Sequence, residues 1–523
     1  MSSDSPTSDP NHVMSGPSVL HDRMRSSAVE RVPPPDFFKD LQLDQVVASI
    51  VAGREEYALE TYFHVPLLDV AEIEYRHEVF RDLHDARILD CLKAFAGEMR
   101  LMRAQSKMAG ELPHPLQSQR CFLDACALYC DAVGGLTEHL TAAAPRARAL
   151  VSIARFLAEY EGSTAFREMR RVTADIQAQI REIRYTVFID GDRITVGQYR
   201  GEADYGETVA RVFEKFRRDG AGRYEFPHTS TVRMSQIEEV VLDRVARLNF
   251  ELFEALARHC ERYREFLEPT VRRFDREIQF YLAFHERIRV LAASGVEFCL
   301  PSVERGVRDV AIRRLFDMSL ANKRFQEGQR VVCNDLQLSI RERVALVSGA
   351  NQGGKTTFAR AIGQVLYLAA IGCPVPAAEA RVSLFDRLFT HFEREEDVLE
   401  GTSKLEADLI RIHRIVAHLT AESVVIMNET FGSTTLADGL FLGREILARV
   451  LRSGAMCVWV TFFYELTTMA DTVVSMVSAV DERDPEKRTF EVIRKPSDGM
   501  AYADAIARRY RLTYDDLLER LSP

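Results

Sequence analysis

A chain of 523 residues, 46% hydrophobic and 28% charged, is long enough for roughly two to four domains and has the balance of an ordinary soluble protein. Its 68 Lys+Arg against 78 Asp+Glu give a net charge of -10, which excludes a strongly basic nucleic-acid coat but leaves room for a basic patch on one face. No apolar run reaches the ~18 residues of a membrane span, the N-terminus lacks the apolar core of a secretory signal, and the nine cysteines form no C-x-x-C pair. Cys121, Cys126 and Cys130 read as reduced thiols, so the expected compartment is the cytoplasm, with no membrane partner.

Residues 1–36 are rich in Ser, Pro and Asp and read as a disordered tail. A helical region follows over 37–295, beginning with Leu41, Val46, Val47 and Ile50 on one face and continuing through patterns at 119–142 and 146–181, the latter broken at Gly162. Tyr185–Ile189 and Arg193–Val196, joined by Asp190-Gly191-Asp192, predict a β-hairpin. Ile237, Val241, Val245, Leu248 and Leu252 then mix four- and three-residue spacings, as a coiled-coil-like seam does, and Pro269 predicts a kink or break. Helices that run out and return through a hairpin suggest an arm; a compact bundle buries the same stripe and stays open at this point. Arg217, Arg218, Arg223, Arg272, Arg273 and Arg276 are candidates to meet phosphates, against the commoner role of a solvated face.

Beyond residue 295 strands and helices alternate to about 480, as a parallel sheet with crossover helices requires; residues 481–523 read as a C-terminal helical tail. At the centre of this α/β region stands Gly349-Ala350-Asn351-Gln352-Gly353-Gly354-Lys355-Thr356-Thr357, which fits G-x-x-x-x-G-K-[ST] between a predicted strand at 344–347 and a helix at 358–370. Such glycines let backbone N–H groups and the helix dipole face an anion. Lys355 adds a point charge for the β/γ-phosphates, and the Thr356 hydroxyl can ligate Mg²⁺. The apolar run Ser423–Met427 ends in Asn428-Glu429, at the end of a buried strand that opens beside a phosphate loop. There the first residue holds a metal-bound water and the second positions the hydrolytic water; Asn428 lacks the usual charge, which predicts weakened Mg²⁺ affinity, and Glu429 is the catalytic candidate.

These features, with Asn334-Asp335, Ile371-Gly372, Val375-Pro376-Ala377, Asp386–Thr390, Gly401, Ser403, Met427, Thr434, Asp438-Gly439, Thr461 and Glu465-Leu466-Thr467 in one order, resemble the ATPase half of the MutS family of DNA mismatch-repair proteins. The resemblance implies an ABC-type, MutS-like phosphate-loop NTPase domain at 296–480, preceded by a helical core with lever and clamp. It implies ATP with Mg²⁺ as cofactors and a homodimer in which Ser403 completes the partner's nucleotide site as a signature serine. Three departures temper this: Asn428 replaces an Asp, Phe462 replaces a His, and Lys404-Leu405 follow Ser403 in place of Thr and Phe. No Phe-x-Glu wedge lies in the first 70 residues, so mismatch reading is not expected. The leading expectation is a slow ATPase that uses ATP to switch a dimeric clamp on branched or recombination-type DNA. The alternative is a non-catalytic, nucleotide-dependent scaffold whose helical arms bind protein partners.

Overall fold

The computed structural model describes residues 16–22, 32–191, 193–202, 234–393, 404–432, 434–481 and 488–496. Backbone contacts group the chain into two units, residues 1–85, 146–151 and 276–523 forming unit 1, and residues 86–145 and 152–275 forming unit 2. This differs from the boundary expected near 295, because the first helices pack with the α/β region.

Those helices are α1 (Phe37–Asp40), α2 (Leu43–Val51), α3 (Glu60–Phe63) and α4 (Val70–Asp82). α2 buries Leu43, Val46, Val47 and Ile50, the three- and four-residue spacing of one helical face. α4 starts at Asp69, whose carboxylate accepts from the Ala71 amide as an N-cap. Residues 16–22 correct the expectation of disorder throughout 1–36. Val19 and Leu20 are fully buried, and the Val19 amide donates to Glu277 at 2.8 Å. An average over a Ser- and Pro-rich stretch hides a Val-Leu pair that has apolar surface to bury. Residues 1–15 and 23–31 lie outside the described residues.

Among its described residues, unit 2 is helical apart from one hairpin. Its elements are α5 (Ala86–Glu111), α6 (Pro115–Ala143), α7 (Arg148–Gly162), α8 (Thr164–Glu182), β1 (Tyr185–Asp190), β2 (Arg193–Gln198), α9 (Gln236–Leu248) and α10 (Phe250–Arg262); α7 begins, and α11 (Pro269–Ala292) continues, in unit 1. The break at Gly162 falls where expected, and Ser163 caps α8 by accepting from the Phe166 amide. β1 and β2 pair antiparallel with Asp190 opposite Arg193, and Gly191 supplies the positive φ of 61° that the turn needs. The expected seam is not one helix. Asn249, at φ -120 and ψ 42, interrupts it, and Ile237 and Leu248 are exposed while Val245 and Leu256 are buried. Pro269 opens α11 as its first residue, where its missing N–H costs nothing. Arg276 is occupied structurally, donating to the carbonyls of Tyr57 at 2.7 Å and Ala58 at 3.1 Å. Arg217, Arg218 and Arg223 lie outside the described residues.

The rest of unit 1 contains β3 (Ser302–Glu304), β4 (Val310–Leu315), α12 (Met318–Gln326), β5 (Asn334–Leu338), β6 (Val344–Gly349), α13 (Lys355–Ala370), β7 (Glu379–Ser383), β8 (Leu388–Phe392), α14 (Lys404–Ala417), β9 (Val424–Asn428), α15 (Leu436–Ser453), β10 (Met456–Val460), β11 (Val473–Val480) and β12 (Arg488–Arg494). Six strands form one sheet in the order β12-β11-β6-β10-β9-β8, parallel except for β12, and four form a mixed sheet in the order β3-β7-β4-β5. Every residue of β9 and β10 is buried, as a parallel strand covered on both faces requires. On one of those faces Leu346 of β6 joins Val425, Met427 and Trp459 in a core cluster with Ile446 and Leu447 of α15. β12 corrects the expected all-helical tail. Thr489, Val492 and Ile493 suit a pleated edge, and the strand pairs with β11 through Ile493 opposite Val477. Residues 497–523 lie outside the described residues.

α13 explains why the first helices belong here. A Cβ on Gly363 would meet Leu41 Cδ2 at 2.5 Å and Ile426 Cδ1 at 2.8 Å, so glycine lets Leu41 pack onto the helix. Gln364 donates to the Leu41 carbonyl at 2.9 Å and accepts from the Met318 amide at 2.8 Å, and Tyr367 donates to the Phe63 carbonyl at 2.7 Å. Buried polar groups with every partner in place fix one packing and disfavour others.

Candidate nucleotide site

β6 delivers the loop at the C-terminal edge of the six-stranded sheet, next to β10 and β11. Gly349 has φ 113°, and a Cβ there would sit 2.9 Å from the Ser478 carbonyl oxygen. Gly354, at φ 90°, is the residue before α13, so the first amides of that helix open toward the loop. Gly353 has no room for a side chain either, because Ser478 Oγ would lie 2.2 Å from its Cβ. Ser478 instead donates to the Gly353 carbonyl at 2.7 Å and holds the loop against β11.

Lys355 is buried and turns back on the loop, donating to the carbonyls of Gly349 and Ala350 at 2.9 Å each and to Asn351 Oδ1 at 3.3 Å. Burial lowers its pKa, and the negative charge of Glu429 opposes that shift. Its Nζ also lies 5.2 Å from the centroid of the Phe462 ring, a cation–π contact at the end of β10. Phe462 is half exposed and offers this cation a π-face but no hydrogen bond.

The end of β9 brings in the other side. Thr356 Oγ1 donates to Asn428 Oδ1 at 2.9 Å, so the loop hydroxyl and the strand-end amide meet directly. Glu429 follows in the left-handed region at φ 52°, and its amide donates to the Val460 carbonyl at 2.9 Å. Phe431 shares this conformation at φ 68°. Left-handed backbone at non-glycine residues stores strain that the surrounding strands must hold, as is common where a side chain has to be aimed. Thr461, buried beside Val347, hydrogen-bonds that strand and accepts from the Phe463 amide at 3.1 Å.

A cavity of about 520 Å³ opens between the loop and α12, lined by Gly353 to Phe358 together with Asp317, Arg324, Val332, Glu429 and Phe490. Phe490 stands in β12 at φ 60°, and Asn334 fixes that strand by accepting from the Val492 amide at 2.6 Å and donating to the Phe490 carbonyl at 3.2 Å. Asp317 caps α12, accepting from the Ser319 and Leu320 amides, and pairs with Arg360 of α13. Sequence reasoning missed Ser478, Phe490 and Asp317 as parts of this site. Ser478 is one of two serines, with Ser475, in the otherwise apolar run Val473–Val480, so the run does not single it out; Phe490 had no signal, because its position depends on β12 pairing.

The structure therefore brings together Gly349, Ala350, Asn351, Gln352, Gly353, Gly354, Lys355, Thr356 and Thr357 with Asn428 and Glu429. Ser403 and Gly401 lie outside the described residues. The oxygen donors at the strand end are the Thr356 hydroxyl, the Asn428 amide and the Glu429 carboxylate. They fit a Mg²⁺ ion that keeps most of its waters and takes phosphate oxygens, and among the described residues no cluster of His, Cys, Asp and Glu forms an all-protein cage.

Residues 345–505 match the family model described as MutS domain V. The chain is similar to the DNA mismatch repair protein MutS of Brevibacillus brevis, 25% identical over 303 residues that cover 54% of this chain and 33% of that protein. The same named protein of an Exiguobacterium species is 28% identical over 272 residues, 49% of this chain and 30% of its own length. That of Erythrobacter litoralis is 33% identical over 187 residues, 35% of this chain and 21% of its own.

Over residues 345–505 the chain is similar to domain V of the MutS family.

The match to these MutS proteins spans about a third or less of their length. The MutS domain V match begins in β6 and runs past β12, so it takes in the loop, Asn428-Glu429, Phe462, Ser478 and Phe490. Asn334, Asp317 and the helices that grip α13 lie before it.

Proposed function

We propose that this chain binds ATP with Mg²⁺ at Gly349–Thr357 and hydrolyses it slowly, using the nucleotide to switch a DNA-associated homodimer. The observation that carries this is the meeting of Thr356 with Asn428 at 2.9 Å, which sets the phosphate loop against the strand end that bears Glu429. In this reading Lys355 exchanges its loop carbonyls for phosphate oxygens, the amides at the start of α13 face the phosphates, and Glu429 positions and deprotonates the attacking water. When bound, Mg²⁺ supplies charge neutralisation of the phosphates; the residues that would hold it are Thr356, directly, and Asn428, through water. Asn428 brings no charge, and Phe462 offers no hydrogen bond to a phosphate, which together support slow turnover. Ser403 of a second copy completes the site, as the family resemblance implies, and the helices of unit 2 supply the arms whose arrangement ATP selects. Branched or recombination-type DNA is the proposed substrate.

The neutral Asn428 and the Phe462 ring over Lys355 favour a second reading, a scaffold that binds nucleotide without turnover and offers its helices to protein partners. One experiment separates the two. ATP turnover is measured with and without duplex, branched and single-stranded DNA at two salt concentrations. Turnover stimulated by branched DNA, falling steeply with salt, supports the switch; tight ATP binding with no turnover and no DNA response supports the scaffold.

A further inference from the structure

Residues 16–22 lie in a groove of unit 1 walled by α4 and α11. No residue of this segment is in a helix or strand. Side chains of the groove read its main chain instead. Tyr75 donates to the Ser18 carbonyl at 2.8 Å, Tyr281 to the Val19 carbonyl at 2.6 Å, and Arg76 Nε to the Leu20 carbonyl at 3.1 Å. The Glu277 carboxylate accepts from both the Val19 amide and the Ser18 hydroxyl at 2.8 Å. The Ser18 hydroxyl in turn accepts from the Leu20 amide at 3.1 Å and the His21 amide at 3.2 Å, closing a tight turn. Asp22 pairs with Arg148 at 3.0 Å, and the side chains of Val19 and Leu20 are wholly enclosed.

Arg76, Glu277 and Tyr281 are themselves buried, and each takes at least one hydrogen-bond partner from this seven-residue segment. The wall helices have other anchors. Phe80 of α4 packs edge-on to Tyr281 and Phe284 of α11, Phe63 packs on Phe280, and Arg76 also donates to the Ile371 carbonyl at 2.7 Å. A surface that satisfies a visiting main chain with side-chain donors and acceptors, and encloses selected side chains, is how proteins recognise short peptides.

We propose that this groove is a peptide-recognition site for a short segment with a Ser-Val-Leu core, and that residues 16–22 are its ligand, bound within the same chain. The hydroxyl is selected by the Glu277 carboxylate, and the two aliphatic residues by the enclosed pockets. Tethering raises the segment's effective concentration, so the site stays filled by its own chain.

The test uses the full chain with either Leu20→Asp, which puts a charge at a fully buried position, or Ser18→Asp, which sets a second carboxylate against Glu277. A fluorescently labelled synthetic peptide of residues 16–22 is titrated into each, with fold checked by circular dichroism and gel filtration. Both variants should bind the peptide saturably while the parent chain does not, and a peptide carrying Val19→Asp should bind at least about tenfold more weakly. Folded variants that fail to bind overturn the proposal, as does equal binding by the parent chain or by the altered peptide. Unfolding of both variants overturns it too, because a receptor survives the loss of its ligand.

Discussion

Gly353→Ala tests whether the loop works through its packing as well as its sequence. The new Cβ would lie 2.2 Å from Ser478 Oγ, 2.9 Å from the Ala350 carbonyl oxygen and 3.2 Å from Ser478 Cβ. The hydroxyl can rotate away, but it then gives up its 2.7 Å hydrogen bond to the Gly353 carbonyl, a loss of about 1 kcal/mol. The Ala350 oxygen is backbone and cannot leave without reshaping the turn that presents the loop amides, an overpacking cost of about 1–3 kcal/mol. Together these come to about 2–4 kcal/mol against the ATP-binding conformation, so the variant should bind ATP about 30- to 1,000-fold more weakly. Isothermal titration calorimetry measures this, with thermal melting as the check on fold. Adding Ser478→Ala deletes the hydrogen bond that Gly353→Ala already breaks and leaves the Ala350 contact, so the double variant should bind ATP within about threefold of Gly353→Ala. Ser478→Ala alone should cost no more than about fivefold. Binding by Gly353→Ala within about threefold of the parent would refute the packing argument.

Glu429→Ala should abolish ATP turnover while ATP affinity, read by calorimetry, changes by less than about threefold; turnover at the parent rate would remove Glu429 from the chemistry. Asn428→Asp adds a charge beside Thr356 and should tighten Mg²⁺ binding in the ATP complex by about tenfold, measured by Mg²⁺ titration of ATP binding. His259 is buried and paired with Thr173 Oγ1 at 2.8 Å, and burial lowers its pKa to about 4. The unfolded chain, with an ordinary histidine near 6.5, then binds the extra proton first, so this contribution is full above pH 6.5 and is lost as pH falls toward 4. Between pH 7 and 5 the parent should lose on the order of 1 kcal/mol more stability than His259→Gln, after discounting for solvent screening, as read from urea midpoints.

The candidate nucleotide site was legible because its chemistry is local. A phosphate loop needs its glycines, lysine and hydroxyl within one turn between strand and helix, and Gly349–Thr356 carry them contiguously. Asn428-Glu429 were legible too, since a wholly apolar strand that ends in polar residues opens at the edge of a parallel sheet. The residues that shape the rest of the cavity come from pairing at long range. Phe490 reaches the loop only because β12 turns back on β11, and Asn334 reaches β12 across 158 residues of chain. The helix ends were readable from caps and glycines, whereas the seam predicted from Ile237 to Leu252 failed at Asn249. Periodicity reports which residues share a face while the helix lasts and does not report where it stops. Composition misled at residues 16–22, where two aliphatic side chains and one hydroxyl outweigh the polar average around them.

The contact of Leu41 with Gly363 bears on how this protein can be cut and recombined. A fragment that starts at the phosphate-loop strand would carry α13 with an open notch at Gly363 and with Gln364 and Tyr367 deprived of the Leu41 and Phe63 carbonyls. Exchange of the MutS domain V segment between relatives faces the same constraint, since a larger residue at 363 would demand a smaller one at 41. The transferable piece is thus discontinuous, a helical preface and a distant α/β segment that must be moved together or matched to each other.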